Sequence, residues 1–409
     1  MSDTALRTLV LSLTAPSTFV LTTGLITGLT TAHASWSVST AKYWVEPGKQ
    51  IGDVIPQASN NNVSIERHEG ALFMVWRSSK DHFASNTTVT HVVYSLNEGE
   101  TWVSDLNISI DGDVREGLLK SIDGVLHLYY FEGGTNPRKF EPRRVVHRYR
   151  LGPNKWSEPE SISGAKEVLW DLKTYKDVTY KLSYQGPHYR FRPGDLYVKL
   201  ETSTDGRRWE KLPQAKNSVV YTGGVSETAV EFDNRGNLWG VGRNEDGDTT
   251  GFGTQIFFAK AGELHSWWSL KKSLRERYDS PKMFRHNGEI YLLSRRCLGP
   301  KFNRGLNFLP FNVKRWLYLG LYSLQTMRTS LFRLNTNKLD LDWILDLPST
   351  GDNAFPSIVQ NSPNEFTVVN YSSPLQHTDW TWIRGQKSSE GTNLYSVKLN
   401  WTKDTLIME

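Results

Sequence analysis

Six segments of the chain share one form: an acid or amide, an apolar strand, a tight turn and a second apolar strand. They read "NVSIERHEGALFMVWRSS", "EGLLKSIDGVLHLYYFEG", "DLKTYKDVTYKLSYQG", "ETAVEFDNRGNLWGVGRNE", "DSPKMFRHNGEIYLLSRR" and "DNAFPSIVQNSPNEFTVVNYSS". Their first residues, Asn62, Glu116, Asp171, Glu227, Asp279 and Asp352, are separated by 54, 55, 56, 52 and 73 residues, so only the last interval carries an insertion. A second hairpin follows the pair, as in "THVVYSLNEGETWV" and "DLYVKLETSTDGRRWEKL". Four short strands cannot bury both faces alone, and six such units set radially make a six-bladed β-propeller of four-stranded antiparallel blades. The predicted fold class is all-β, because β-branched and aromatic runs alternate with Gly, Asn and Asp turns and long helical periodicity is nearly absent. Near the amino terminus, "WSVSTAKYWVE" would supply the strand that closes the ring against the final "TNLYSVKLNW".

A length of 409 residues often means two domains, but a propeller spends it on one, here residues 35–409 with an insertion near 298–327. The formal net charge of +5 is small and local: Ile290 to Leu339 holds no acid and nine Lys or Arg. Such a balance does not point to nucleic acid. One cysteine, Cys297, excludes an internal disulfide and any CxxC motif, and the 10 histidines show no ligand spacing for zinc. Arg7 precedes an uncharged run from Thr8 to Thr31, and Ala32-His33-Ala34 gives an A-x-A cleavage pattern. Residues 1–34 therefore read as an export signal, with the mature chain starting near Ser35 outside the cytoplasm; an uncleaved membrane anchor is the alternative.

The stretch "YSLNEGETW" (Tyr94 to Trp102) places Ser95, Asn97, Gly99, Thr101 and Trp102 at fixed offsets. "ETSTDGRRW" (Glu201 to Trp209) repeats the rhythm, with Thr202, Thr204, Gly206 and Trp209 at the same offsets. A short polar side chain caps its own turn, Gly takes positive φ, and Trp packs between sheets. This spacing resembles the Asp box (BNR repeat) of the sialidase, or neuraminidase, superfamily, and the resemblance covers nearly all the mature chain. It looks closest to a sialidase-like branch of uncharacterised propellers. The resemblance implies that the two turns hold blades together and do no chemistry. It also implies a site in which three arginines bind a carboxylate, a tyrosine activated by a glutamate attacks, and a separate aspartate is the acid/base. "VSETAVEF" and "VGRNE" then place Glu227 and Arg243, "MRTSLFRL" places Arg328, and "WRSSKDHF" places Asp81 as acid/base. Three positions depart from the pattern. Asn61 or Asn62 stands for the first arginine, the second would fall near Gln255, and Phe355 replaces the tyrosine. A phenyl ring cannot attack an anomeric carbon.

Independently of any family, the residues opening the innermost strand of five repeats are acids: Glu116, Asp171, Glu227, Asp279 and Asp352. In a propeller those ends ring the mouth of the central channel. Converging carboxylates raise one another's pKa values, which supplies a protonated acid facing an ionised base or nucleophile, as glycoside hydrolysis requires. The same acids would also suit Ca²⁺ or the capping of their own turns. The expected catalytic set is Glu227, Asp279 and Asp352, with Asp81 from the loop. Arg243, Arg328, Arg295, Arg296, Glu116, Asp171, Tyr371 and Trp382 are the expected substrate-binding residues. No cofactor is expected other than Ca²⁺ in the acidic pore. The insertion gathers Trp316, Leu317, Leu319, Leu321, Tyr322 and Leu324 beside Lys314 and Arg315. That is a short basic, aromatic helix that packs on the flank, lids the pore, or touches an anionic membrane through residues 311–327. The expected function is an exported glycoside hydrolase of sialidase-like fold that uses pore carboxylates on a glycan. The alternatives are a non-catalytic glycan-binding or adhesion propeller, and an exo-sialidase with a displaced nucleophile.

Overall fold

The strand pairs that the repeat predicts form six antiparallel sheets in the computed structural model, which describes residues 34–188, 196–299, 305–306 and 308–403. Blade 1 consists of Ser59–His68, Ala71–Ser79, Val89–Ser95 and Val103–Ile108, paired in that order. Blades 2 to 5 begin with the inner strands Asp113–Ile122, Glu167–Tyr175, Thr228–Phe232 and Tyr278–His286. Blade 6 takes Asn353–Ser362, Glu365–Ser372 and Asn393–Lys403 from the carboxy-terminal part, and Lys42–Val45 pairs with its last long strand. The amino-terminal strand thus closes the ring, which leaves no large open sheet edge. Residues 35–402 make up this unit; the export-signal expectation for residues 1–34 lies almost wholly outside the described residues.

Each pair of neighbouring blades shares its own apolar layer. Between blades 6 and 1 it holds Met74, Trp76, Tyr371 and Leu394, and between blades 4 and 5 Val241, Ile256, Met283 and Leu292. The second strand of a blade packs on both neighbours, which is why Ala71–Ser79 is buried at every position. Such a strand reads as a continuous apolar run rather than an alternation.

The two polar turns lock blades to their neighbours. Ser95 Oγ accepts from Asn97 N (3.2 Å) and Gly99 N (2.8 Å), and Asn97 Oδ1 accepts from Thr101 N (2.9 Å). Gly99 has φ 84° and lies against Trp44, where a Cβ would fall 2.7 Å from the ring. In the second turn Ser203 and Asp205, one residue on from the expected Thr202 and Thr204, take these roles. Ser203 Oγ accepts from Gly206 N (2.9 Å), and Asp205 Oδ1 accepts from Arg207 N and Arg208 N (both 2.9 Å). Those backbone donors hold the Asp205 carboxyl down at about 2. Ser95→Ala leaves the buried Gly99 N–H without its acceptor. The expected loss is about 1–3 kcal/mol in denaturant unfolding, with no change at the axial cavity, which Ser95 does not line.

Candidate active site in the axial cavity

The inner strands do not run straight into the channel. Those of blades 1, 2, 5 and 6 each carry a β-bulge, between Asn61 and Ser64, Arg115 and Leu118, Asp279 and Lys282, and Ala354 and Ser357. At each bulge a non-glycine residue takes positive φ: Asn62 (51°), Glu116 (55°), Ser280 (53°) and Phe355 (53°). All four line one axial cavity of about 150 Å³, together with His82, Arg115, Phe140, Glu227, Arg243, Arg295, Tyr371 and Trp382 among others. Bulges re-aim side chains, and left-handed backbone at bulky residues costs about 1–3 kcal/mol each, so the strain is concentrated at the cavity wall. Below it the channel narrows to an apolar floor of Val63, Leu118, Leu169, Trp170 and Pro356.

Three arginines converge beside this cavity on one fully buried carboxylate. Asp279 Oδ2 stands 3.0 Å from Arg243 Nε and 3.4 Å from Arg295 Nη2, and its Oδ1 is 3.1 Å from Arg277 Nε. Burial alone would raise the Asp279 carboxyl; the three guanidiniums overcome it and hold it far below the usual range. Arg243 also donates to Glu227 Oε1 (2.6 Å) and Glu245 Oε1 (2.7 Å). Glu227 Oε2 accepts from Ser280 N (2.7 Å), so both of its oxygens are held by donors that serve the ionised form. Burial nevertheless pushes Glu227 up against the pull of Arg243, helped by the charges of Asp279 and Glu245.

Glu116 differs from every other acid in the cavity. Its Oε2 is shielded from solvent and accepts no hydrogen bond. Burial first, and then the charge of Glu227, push its carboxyl up to about 8. Burial of its carboxyl and the nearby charge thus favour its protonated form, and it shares the cavity with the anchored Glu227 two blades away. A third group stands at the seam between blades 6 and 1. Asp352 Oδ1 accepts from Trp382 Nε1 (3.1 Å) and Tyr371 OH (3.3 Å), while Oδ2 lies 2.7 Å from His82 Nδ1.

The expected site residues thus divide. Glu116, Glu227, Arg243, Arg295, Tyr371 and Trp382 line the cavity, and Asp279 and Asp352 stand behind its wall holding those that do. Asp171 lies deeper, paired with Lys282 Nζ (2.7 Å). Asp81 turns back into its loop, where Oδ1 accepts from Phe83 N (2.9 Å), and its neighbour His82 enters the cavity instead. Arg296 pairs with Asp346, and Arg328 donates to the carbonyls of Met327 and Thr378. Gln255 is tied within blade 4 to Thr250 and Leu270. Among the described residues no group of three or more His, Cys, Asp or Glu is placed to hold a metal ion; of the acids expected to suit Ca²⁺, Glu227 and Asp279 meet guanidiniums, Asp171 meets Lys282, and Asp352 meets His82, Tyr371 and Trp382.

The sequence reading missed His82, Arg277 and Tyr322. Tyr322, on the inserted helix Phe311–Ser323, accepts from Arg295 Nε (2.9 Å) and lies under the Arg277 guanidinium, 4.2 Å from its ring centroid. The insertion therefore reaches into the arginine cluster, and no spacing rule announces that.

No protein-family model matches the sequence, and no curated protein matches it. Solved structures do share the fold. A Dyadobacter fermentans protein of unknown function superimposes with TM-score 0.56 at 12% identity, covering 88% of this chain and 99% of that one. Trypanosoma rangeli sialidase in complex with the inhibitor DANA gives 0.56 at 12% identity over 88% of this chain, which spans 59% of the sialidase. Penicillium chrysogenum α-L-arabinanase complexed with arabinobiose gives 0.52 at 13% identity over 88% and 98% of the two chains. The likeness is one of fold, the six-bladed β-propeller.

The raised Glu116 acid has a consequence for stability. Between pH about 4.5 and about 8 the unfolded chain has released a proton that the folded protein keeps, so stability falls as pH rises through that window. Glu116→Gln removes the linkage. Its melting temperature is expected to match wild type near pH 4.5 and to exceed it increasingly up to pH 8; a constant offset across the range would show an ordinary carboxyl.

Proposed function

We propose that the protein is an exported glycoside hydrolase whose acid is Glu116 and whose second carboxylate is Glu227. The observation that carries this is the pairing, in one cavity, of a carboxyl whose buried Oε2 has no donor with a carboxyl whose two oxygens are both held by donors. Environments that separate two acids in this way divide the roles of proton donor and of base or nucleophile. Glu116 would protonate the glycosidic oxygen, and Glu227 would act at the anomeric carbon, either on it or on the incoming water. Two features favour a neutral sugar over sialic acid. The three-arginine cluster already holds an internal carboxylate, Asp279, and Phe355 occupies the bulge of blade 6 with no hydroxyl to offer.

The test is turnover of a panel of fluorogenic glycosides by protein collected from the medium, whose amino terminus is expected near Ser35. Glu116→Gln and Glu227→Gln are each expected to lower turnover of a neutral glycoside by about 10²–10⁴-fold. Wild-type activity should decline as pH rises past about 8, where Glu116 loses its proton. Sialoside turnover would favour the displaced-nucleophile sialidase, with Tyr184 and Tyr371 as the tyrosines that line the cavity. Silence across the panel would favour the non-catalytic glycan-binding propeller.

We further propose that the outer face of the helix Phe311–Ser323 rests on an anionic lipid surface. Its inner face buries Tyr318 and Tyr322, while Val313, Trp316 and Leu317 point to solvent beside exposed Leu324 and Phe308. That inverts the usual solvent-side polarity of a surface helix. Arg315, expected to make this face basic, is buried, but the adjoining helix Trp382–Lys387 presents exposed Arg384 and Lys387, so the complementary surface is negative. No helix among the described residues is long and apolar enough to cross a membrane. The protein is expected to sediment with phosphatidylcholine vesicles only when phosphatidylglycerol is included, and Trp316→Glu with Leu317→Glu should abolish this. Dimerisation through the same face, seen by light scattering and lost in the double variant, would overturn it.

A further inference from the structure

A second and larger cavity, of about 260 Å³, adjoins the first. It is walled by Ala84, Phe131, Gly133, Gly134 and the loop from Pro137 to Glu141, all on blades 1 and 2. His82, Arg115 and Phe140 belong to both cavities and form the neck between them. The neck is braced from behind. Arg115 Nη2 donates to the His82 carbonyl (2.8 Å) and its Nε pairs with Asp113, a carboxylate that also accepts from Arg77 (3.1 Å) and Thr88 (2.8 Å). Phe140 stands edge-to-face with Phe131 on one side (5.8 Å between centroids) and with His188 on the other (5.2 Å).

Glu116 follows the neck residue Arg115 in the chain, and its side chain lines the first cavity and not the second. Glu227, Arg243 and Arg295 lie on the far side, on blades 4 and 5. An acid that protonates a glycosidic oxygen must stand at the bond that breaks, and the released sugar must lie on its side away from the second carboxylate. We propose that the second cavity is the leaving-group site, and that the substrate is a glycan of at least two sugar residues held with its scissile bond at the Arg115–Phe140 neck. This rests on the reading of Glu116 as the acid. The bond between the anomeric carbon and the glycosidic oxygen breaks, the Glu116 proton goes to that oxygen, and water adds its hydroxyl to the anomeric carbon. The remaining proton of that water returns to the carboxylate pair. The walls suit the assignment: Phe131 and Phe140 offer apolar faces to a sugar ring, and the Gly133–Gly134 backbone leaves room for it.

The experiment compares two leaving groups. A glycosyl fluoride departs without filling the second cavity and needs little protonation, whereas the matching disaccharide needs both. Fluorides of arabinose, galactose and glucuronic acid, each beside its disaccharide, are assayed with wild type, Ala84→Trp, which fills the second cavity, and Phe140→Ala, which opens its neck. The ratio of kcat/KM for disaccharide to that for fluoride is expected to fall about tenfold or more in each variant. An unchanged ratio in both variants, each with a wild-type melting temperature, overturns the leaving-group assignment while the fluoride turnover keeps the hydrolase reading. Wild-type protein that turns over neither fluoride nor disaccharide overturns the hydrolase reading and this assignment with it.

Discussion

The Asp279 carboxylate and its three guanidiniums are the interaction on which the cavity depends. All four groups are buried, and each charge is out of water only because the others are present. Removing one partner of such a cluster typically costs about 3–5 kcal/mol, because an uncompensated charge stays behind. The cluster also sets positions elsewhere. Arg243 fixes Glu227 from the end of blade 4, Glu227 in turn fixes the bulge at Ser280, and Arg295 reaches the Asn353 carbonyl of blade 6 (3.0 Å) and Tyr322 of the inserted helix. Three blades and the insertion are therefore registered on one carboxylate.

This arrangement decides what the cavity can bind. A clamp of three arginines is a strong site for an external carboxylate only while its valences are free. Here an internal side chain takes them, so the arginines shape the wall and tune neighbouring acids. Glu116 is left on the other side, near an apolar floor and without a donor on Oε2, surroundings that raise its pKa.

The fold was legible because the repeat length and the strand–turn–strand pattern are properties of composition along the chain, and six interblade cores require them. The register at the channel was not. Each bulge inserts a residue into an inner strand, so counting by twos from the apolar positions fails where the cavity begins. Glu116 falls on the bulge position itself, whereas Asp279 comes one residue before it and Asp352 three before, which puts both behind the wall. Asp171 comes just after its own bulge and drops toward Lys282. Asp81 and His82 are adjacent, and only the fold of their loop decides which one turns inward. The second polar turn misled in the same way: it is one residue shorter than the first, so equal offsets selected Thr202 and Thr204 rather than Ser203 and Asp205.

The closure of the ring and the chemistry of the site are also linked. The seam between blades 6 and 1 is held by Lys42–Val45 on the last long strand, and by Asn60 bonded to Thr392 through both its backbone and its side chain. Across that seam His82 of blade 1 meets Asp352 of blade 6, with Asn62 and Phe355 facing the same cavity from either side. The closing strand continues through residues 46–58 into blade 1, so chain continuity and these hydrogen bonds hold the seam together, whereas the Asp279 cluster lies on blades 4 and 5. The half of the cavity that holds Glu227 is thus stabilised by buried charge, and the half that holds His82 by ring closure.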